Sequence, residues 1–264
     1  MTISYVVLFV KDMEKTLEVY RDAIGLEVST RYQEGNDDVV FLVEKGKEPM
    51  KDDTLLEIVC NPEKAKVLDS VFLGFEVKSL EETAEKLKKA GVSKALCGNI
   101  GSYTLCKNMG FEVYGDFGLN VFNCVSANQI EHPILSFELT QAQINSIKAE
   151  DTGMIVYGYL PLMLTRNCPI KNDIGCFECN KHGKLTDRKG MEFPVICSDF
   201  PCVEMLNCYP LYMLDRIKEV KTDFVHFYFS IESQKQVENV ISLYEQGAKP
   251  DFKYTRGLYQ RGTL

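Results

Sequence analysis

The sequence predicts an α/β protein in two parts, which differ in the order of their helices and strands. Residues 1–92 contain five predicted strands and two helices in the order βαβββ followed by βα, whereas residues 93–264 alternate strands with helices. Of the 264 residues, 45% are hydrophobic and 26% are charged, as is usual for globular proteins. We therefore predict a βαβββ module followed by the later strands of an incomplete (β/α)8-type barrel.

Composition and charge also exclude several classes of protein. No apolar run approaches the roughly 20 residues that span a bilayer, so no membrane segment is expected. The N-terminus lacks the basic and apolar regions of a signal peptide, which predicts a cytoplasmic protein. A net charge of −8 argues against a strong nucleic-acid binder.

The first part, residues 1–92, predicts the order βαβββ followed by βα. An apolar strand over 3–10 precedes a helix that Asp12 caps and Gly25 ends. The further predicted elements are strands at 26–32, 39–44, 54–60 and 71–77 and a helix at 80–90. The second βαβββ copy that such a pattern leads one to expect is therefore interrupted after its first helix.

Three segments of this part resemble the glyoxalase/bleomycin-resistance, or vicinal-oxygen-chelate, superfamily: Tyr5–Tyr20, Gly25–Val28 and Gly74–Val77. The resemblance implies a divalent metal bound by two histidines and carboxylates. Here Tyr5 and Phe72 stand where histidines are expected, and Glu57 alone has suitable chemistry. We therefore expect residues 1–92 to form a binding module without a metal.

The second part, residues 93–264, reads as repeated strand–helix units. The predicted strands are 111–114, 134–137, 154–157 and 224–229, and the predicted helices are 103–109, one that starts at 140, and 234–246. Such alternation predicts a parallel sheet. Asp116, Asn120 and Glu138 follow strands, and barrel enzymes build their active sites at strand carboxyl ends.

Nearly all of residues 96–264 resembles the U32 family of collagenase-like peptidases. The matching segments are Gly98–Gly101, Val113–Asn123, Leu135–Thr140, Tyr157–Pro169, Leu185–Gly190, Phe193–Val195, Glu204–Asn207, Pro210–Leu211, Tyr254–Gly257 and Arg261–Gly262. Departures are Phe137, where proline is commoner, and Leu258, where histidine is expected. About 170 residues are too few for a full barrel, which takes about 250. We expect the first module or a second copy of the chain to cover the open sheet edges.

Six of the ten cysteines fall within residues 168–208, which indicates a thiolate site. Cysteines of a protein from a reducing compartment more often bind metal than form disulfides. The U32 resemblance implies an iron–sulfur cluster on Cys168, Cys176 and Cys179, with Cys197 as the fourth ligand or Cys202 in its place. Structural zinc, which also takes four thiolates, is the alternative.

Other polar residues have a functional and a structural interpretation. Glu138 is a candidate acid or base, or else an acid that stabilises the helix after Thr140. Arg166 is a candidate clamp for a carboxylate, or else a surface ion-pair residue. Asp116 joins them as a catalytic candidate, and Asn120 and Asn207 are candidate cofactor-binding residues.

The sequence thus leads to two hypotheses of different class. The first is a U32-type enzyme with a [4Fe–4S] cluster, acting as a peptidase or as an oxygen-independent hydroxylase. The substrate class is a peptide, an RNA base or a small aromatic compound. The second is a binding module, or an inactive fusion, that holds a structural zinc.

Overall fold

The computed structural model describes residues 5–46, 55–65, 77–175, 182–197 and 202–260. Its contacts divide the chain into two units, one of residues 1–121 with 125–134 and one of residues 122–124 with 135–264. The α/β class is confirmed. The described strands form four sheets, and none of these sheets closes into a barrel. In these ranges no helix is both long and apolar enough to cross a bilayer.

The N-terminal unit begins with the βαβββ module, residues 5–60. Its elements are β1 (Tyr5–Val10), α1 (Met13–Leu17), a π-helical segment (Glu18–Ile24), β2 (Glu27–Glu34), β3 (Asp37–Val43) and β4 (Leu55–Cys60). The sheet order is β1-β4-β3-β2, in which β1 and β4 are parallel and the other pairs antiparallel. All four predicted strands and the predicted helix of this module are therefore confirmed.

Local signals explain the boundaries of that helix. The Asp12 side chain accepts a hydrogen bond from the Lys15 N–H (3.1 Å), which satisfies one free donor of the first turn. Gly25 ends the segment with φ of 95°, a conformation that glycine adopts without a steric penalty. The helix buries Met13 and Leu17 against Val40, Leu42 and Ile58 of the sheet.

The remainder of the N-terminal unit is a helix and a small parallel sheet. It contains α2 (Leu80–Lys89), β5 (Lys94–Cys97), α3 (Ile100–Asn108) and β6 (Glu112–Gly115). Strand β5 was not predicted, and α3 begins at Ile100 because Asn99 caps it by accepting from the Ser102 N–H (2.9 Å). The strand predicted at 71–77 lies almost wholly outside the described residues.

The C-terminal unit has a buried three-stranded sheet. The short helix α4 (Cys124–Ala127) belongs to the N-terminal unit except for Cys124, and the C-terminal unit continues with α5 (Gln141–Ser146) and β7 (Gly153–Gly158), all of whose residues are buried. Strand β7 pairs with the later strands β12 and β13 in the order β12-β7-β13, and β7 and β13 are parallel. The strand predicted at 134–137 is absent: within this unit Leu135 only donates its N–H to Gly153 O (2.8 Å).

Between β7 and β12 the chain forms a four-stranded antiparallel sheet that was not predicted. Its elements in chain order are β8 (Pro161–Thr165), α6 (Pro169–Ile174), β9 (His182–Thr186), β10 (Glu192–Cys197) and β11 (Val203–Leu206). The sheet order is β8-β11-β10-β9. The prediction of one parallel sheet is wrong here, because these four strands pair antiparallel. Strand β8 was not predicted because it exposes Leu162, Met163 and Leu164 and lacks the alternation that marks a half-buried strand.

The chain then returns to the buried sheet and ends with a helix. These elements are β12 (Leu211–Tyr212), β13 (Phe224–Tyr228) and α7 (Gln234–Gln246). The boundaries predicted for α7 are confirmed, since a capping box at Ser233 starts it and Gly247 ends it. Arg256, near the end of the chain, is linked to the segment after β12, because its guanidinium donates to both carboxylate oxygens of Asp215 (2.6 and 2.8 Å).

Candidate functional site

The sheet register brings three cysteines to one edge of the four-stranded sheet. Thr165 near the end of β8 lies opposite Val203 at the start of β11, and Val203 lies opposite Cys197 at the end of β10. Cys202 directly precedes Val203, and Cys168 lies three residues beyond Thr165. We call Cys168, Cys197 and Cys202 the cysteine edge.

The cysteine edge is accessible and locally ordered. All three residues are half-buried. The Cys168 sulfur accepts from the Lys171 N–H (3.4 Å) and so caps α6, with Pro169 at its first position. Cys168 therefore occupies the N-cap position of α6, where serine or aspartate is usual. Its hydrogen bond to the Lys171 N–H holds the Cys168 side chain in a defined position.

The two remaining predicted ligands, Cys176 and Cys179, lie outside the described residues. The chain enters that segment from Gly175, after α6, and leaves it at His182, which pairs with Ile196 next to Cys197. Among the described residues alone, no group of three or more His, Cys, Asp or Glu side chains is arranged to hold a metal ion.

Asp116 and Asn120 belong to the N-terminal unit, in the loop after β6. Asp116 accepts from the Phe117 N–H (2.8 Å), and burial raises the pKa of its carboxyl group. Asn120 is exposed with φ of 51°, so its backbone ends a short 3-10 turn. The loop lies close to Gly98, because a Cβ on Gly118 would come within 2.4 Å of Gly98 O. Loops from the carboxyl ends of β5 and β6 thus meet around Asp116.

Glu138, Arg166 and Asn207 belong to the C-terminal unit. Glu138 is exposed and lies two residues before Thr140, which caps α5. Arg166 is exposed at the cysteine edge, two residues before Cys168. Asn207 donates its N–H to Leu160 O (2.9 Å) and accepts from the Cys208 thiol (3.5 Å), so it ties the end of β11 to the β7–β8 turn.

A cleft that was not predicted from the sequence lies beside Asn207 and Cys208. It has a volume of about 480 Å³ and lies between the β9–β10 hairpin and the residues that follow β7 and β11. Its lining residues are Tyr159, Gly183, Lys184, Gly190, Met191, Glu192, Pro194, Cys208 and Tyr209. Lys184 and Glu192 form an ion pair across the hairpin, so their charges neutralise each other at one wall.

A buried carboxyl group, also missed, follows β13. Glu232 is 3% exposed, and its Oε2 accepts from the N–H groups of Ser230 (2.7 Å) and Ile231 (3.0 Å). Its Oε1 and the Ser230 hydroxyl are buried, and the side chain with which Glu232 interacts by hydrogen bonding is that of Tyr157. Burial raises the pKa of Glu232, and burial and then the nearby Glu232 charge raise the pKa of Tyr159.

A glycine makes this arrangement possible. Gly158, between Tyr157 and Tyr159, has φ of 147°, and a Cβ there would lie 2.3 Å from Tyr228 O. The carboxyl ends of β7 and β13 therefore approach closely, which brings residues 230–232 behind Tyr159. The rule that polar residues at strand carboxyl ends form sites would have identified Glu232, four residues after the end of β13.

The βαβββ module contains no histidine. The three histidines of the chain are His132, His182 and His226, so residues 1–131 contain none. The structure describes neither the Tyr5 side chain nor Phe72. Burial, followed by the charge of Glu34, raises the pKa of Glu57, as occurs for a carboxylate without a cation beside it. These donors do not fit a divalent metal.

Comparison with known proteins agrees with the topology of the N-terminal module. Residues 2–95 match the family model of the Glyoxalase/Bleomycin resistance protein/Dioxygenase superfamily. This region is therefore a glyoxalase-superfamily domain. No curated protein and no solved structure matches the chain.

Proposed function

We propose that the C-terminal unit is a U32-type, iron–sulfur-containing redox enzyme whose cluster is held by Cys168, Cys176, Cys179 and Cys197. The observation that carries the proposal is the convergence of Cys168, Cys197 and Cys202 on one edge of the antiparallel sheet. The strand register places Cys197 and the residues next to Cys202 and Cys168 toward the same end of this sheet, although 34 positions separate Cys168 from Cys202 in the sequence.

Connectivity supports the inclusion of Cys176 and Cys179. The segment that carries them begins and ends at described residues near the same edge, Gly175 and His182. Four thiolates are the usual ligand set of a [4Fe–4S] cluster, and second neighbours such as Lys171 N–H tune such sulfurs by hydrogen bonding. The donor set therefore fits the group.

A bound cluster supplies one-electron chemistry, which favours oxygen-independent hydroxylation over peptide hydrolysis. The proposed substrates are an RNA base or a small aromatic compound, with a peptide as the alternative. Exposed Glu138 is the proposed proton-transfer group of the C-terminal unit, Arg166 is proposed to hold a substrate anion, and Asn207 is proposed to support the site. Asp116, whose burial raises its carboxyl pKa, and Asn120 lie in the N-terminal unit and stay candidates predicted from the sequence.

Metal content tests this proposal directly. Protein purified without oxygen should be brown, absorb near about 400 nm and contain about four irons per chain. Cys176→Ser should abolish iron loading, whereas Cys124→Ser, at an exposed cysteine outside the edge, should not. A colourless, iron-free wild-type protein would contradict the proposal.

The fourth ligand is decided by a matched pair of variants. Cys197→Ser should abolish loading and Cys202→Ser should leave at least most of the iron in place. The reverse result assigns Cys202, which directly precedes β11 at the same edge.

A structural zinc site is the second candidate function for the cysteine edge. The observation in its favour is the antiparallel hairpin pairing of β9, β10 and β11, because structural zinc commonly joins cysteines from such short strands. One zinc per chain, no visible absorbance and loss of stability with a chelator would support it.

For the N-terminal module we propose a binding role without metal. The absence of histidine from residues 1–131 supports this role. Added nickel or zinc should therefore leave the stability of the βαβββ module unchanged, and Glu57→Gln should have no effect on metal content.

We also propose that a second copy of the chain covers open sheet edges. Among the strands that the structure describes, β2 is hydrogen-bonded only to β3, and seven of its eight residues are exposed. The outer strand of a sheet presents backbone groups that can pair with another strand. Sedimentation analysis should give a dimer mass, and Val28→Lys should shift it toward the monomer.

A further inference from the structure

The cleft beside Asn207 and Cys208 takes no part in the proposed cluster site. Its volume of about 480 Å³ lies within the range of roughly 300–1,000 Å³ of small-molecule sites. None of the three residues of the cysteine edge lines it. Pro194, which does line it, lies three residues before Cys197 on β10, so about 10 Å of strand separate the cleft from the cysteine edge.

The residue types that line the cleft favour a flat aromatic ligand. Tyr159 and Tyr209 contribute aromatic side chains, and both are half-buried. Met191 and Cys208 contribute sulfur, a polarisable atom that makes favourable contacts with aromatic rings. Two aromatic rings that meet in an offset or edge-to-face arrangement gain about 0.5–1.5 kcal/mol beyond the burial of their area. A planar ring therefore fits this lining better than an aliphatic ligand of the same size.

Hydrogen bonds hold the wall that carries Tyr209 in place. The Asn207 N–H donates to Leu160 O (2.9 Å), and the Cys208 thiol donates to Asn207 Oδ1 (3.5 Å). The Tyr209 hydroxyl donates to Met191 Sδ (3.7 Å), which links this wall to the β9–β10 hairpin. A site whose walls are already fixed loses little conformational entropy when a ligand binds.

A positive charge without a partner lies beside this wall. The two charged residues of the lining, Lys184 and Glu192, form an ion pair, so their charges cancel. The Lys253 ammonium lies 5.9 Å from the centroid of the Tyr209 ring, which makes a cation–π contact. In the part of the chain that the structure describes, no carboxylate pairs with Lys253. An anionic group on a ligand of the cleft would therefore meet an uncompensated cation.

We propose that this cleft binds an aromatic carboxylate of one or two rings. The ring packs against Tyr159 and Tyr209, and the carboxylate accepts from the ammonium of Lys253. The Lys253 side chain is exposed, so its ammonium can turn from the Tyr209 ring toward a bound anion. The site is independent of the proposed cluster, because the cleft and the cysteine edge share no residue.

Two probes of equal size test the ligand class. 4-Fluorobenzoate carries the carboxylate, whereas 4-fluorobenzamide has the same ring and shape without the charge. Fluorine NMR titration of the whole chain should detect saturable binding of the benzoate and an affinity for the amide about fivefold lower, the ratio that one exposed ion pair of about 1 kcal/mol supplies. The affinity for the benzoate, but not for the amide, should fall as salt is added. Equal affinities, preference for the amide, or no binding of the benzoate at millimolar concentration overturns the proposal.

Variants separate the role of the charge from that of the ring. Lys253→Gln should lower the affinity for 4-fluorobenzoate about fivefold and leave that for 4-fluorobenzamide unchanged, because the cation alone is removed. Tyr159→Leu should lower the affinity for both probes by about fivefold, because the aromatic contact is lost and the charge is kept. A loss for both probes in Lys253→Gln would mean that this residue shapes the cleft, which contradicts its proposed role.

A matched control removes the same charge elsewhere in the C-terminal unit. Lys235→Gln, at an exposed residue of α7, should leave the affinity for 4-fluorobenzoate unchanged. If Tyr159→Leu fails to fold, the comparison of Lys253→Gln with Lys235→Gln still decides, and equal affinities in these two variants overturn the proposal. Iron measured on the same preparations distinguishes the two sites. Iron-free protein that binds the benzoate contradicts only the cluster, and iron-loaded protein that does not bind it contradicts only this cleft.

Discussion

The βαβββ module and the four-stranded cysteine sheet differ in regularity and in the potential metal ligands that they carry. The module has a regular sheet with a well-formed core but lacks the histidines that its superfamily uses. The cysteine sheet has exposed apolar residues on β8 but brings three cysteines to one edge. A regular sheet therefore does not imply a functional centre, and an irregular one can still align ligands through strand register.

The two regions also differ in how far their carboxyl groups are buried. In the module, Glu57 lies on an open sheet and is only partly removed from water, whereas Glu232 is 3% exposed. Burial raises the pKa of both groups.

The largest expected effect comes from the buried ion pair of the C-terminal unit. In Arg256→Ala, Asp215 remains as a buried charge without its cation, so the free energy of unfolding should fall by about 3–5 kcal/mol. Urea denaturation measures it, and hydrogen exchange should rise in β7 and β12 while the βαβββ module stays protected. Arg216→Ala, at the more exposed Arg216–Glu219 contact, should change stability by less than about 1 kcal/mol. A small effect of Arg256→Ala would contradict the importance of this pair.

A core truncation in the module provides the reciprocal test. Leu17 is 1% exposed and packs against the sheet, so Leu17→Ala should lower stability by about 2–5 kcal/mol. Exchange should rise in β3 and β4 and remain unchanged in β7. Equal loss of protection in both regions would mean that the two units unfold together. The two regions would then differ in sequence but not in stability.

Acid should destabilise the C-terminal unit through His226. Burial lowers the pKa of His226 to about 4, below its usual 6.5. Between pH 6.5 and 4 the imidazole of His226 is therefore protonated in the unfolded chain but not in the folded chain. The free energy of unfolding should fall by about 2–3 kcal/mol in total as the pH falls from about 6.5 toward 4. Denaturation between pH 4 and pH 8 measures this loss, which His226→Gln should remove. If His226→Gln loses as much stability at low pH as the wild type, the loss comes from other titrating groups. The βαβββ module has no histidine, so no histidine of the module can contribute to it.

The smallest expected effect concerns the hairpin that forms one wall of the cleft. The Lys184–Glu192 ion pair is more than half exposed on both sides, so Lys184→Ala should cost at most about 1 kcal/mol, and less at high salt. Thermal denaturation at low and high salt measures it. A larger loss that salt does not reduce would mean that Lys184 stabilises the sheet by packing.

Local signals in the sequence account for much of the fold. Asp12 and Gly25 bound the first helix, Ser233 and Gly247 bound α7, and the apolar runs of β1, β3, β4, β7 and β13 predict strands. These signals act within a few residues, through capping, left-handed turns and burial patterns, so they can be read without coordinates. The sequence match over residues 2–95 rests on the same kind of local information.

The candidate sites depend on information that is not local. The cysteines are visible in the sequence, but the alignment of Cys168 with Cys197 and Cys202 follows from pairing between β8, β11 and β10, whose partners are up to about 40 positions apart. Asp116 was chosen because it follows a strand, and Glu138 because it follows a predicted strand that the structure does not form, yet Glu232, which does follow β13, was missed.

From its residues alone the chain specified a glyoxalase-like front module without histidine, an α/β class and a set of clustered thiols, because capping, periodicity and composition are properties of neighbouring residues. Long-range pairing and burial decided the antiparallel cysteine sheet, the cleft that Tyr159 lines and the burial of Glu232. Each of these arises when distant segments exclude water from one another, and the cost of that exclusion depends on contacts that no short stretch of sequence contains.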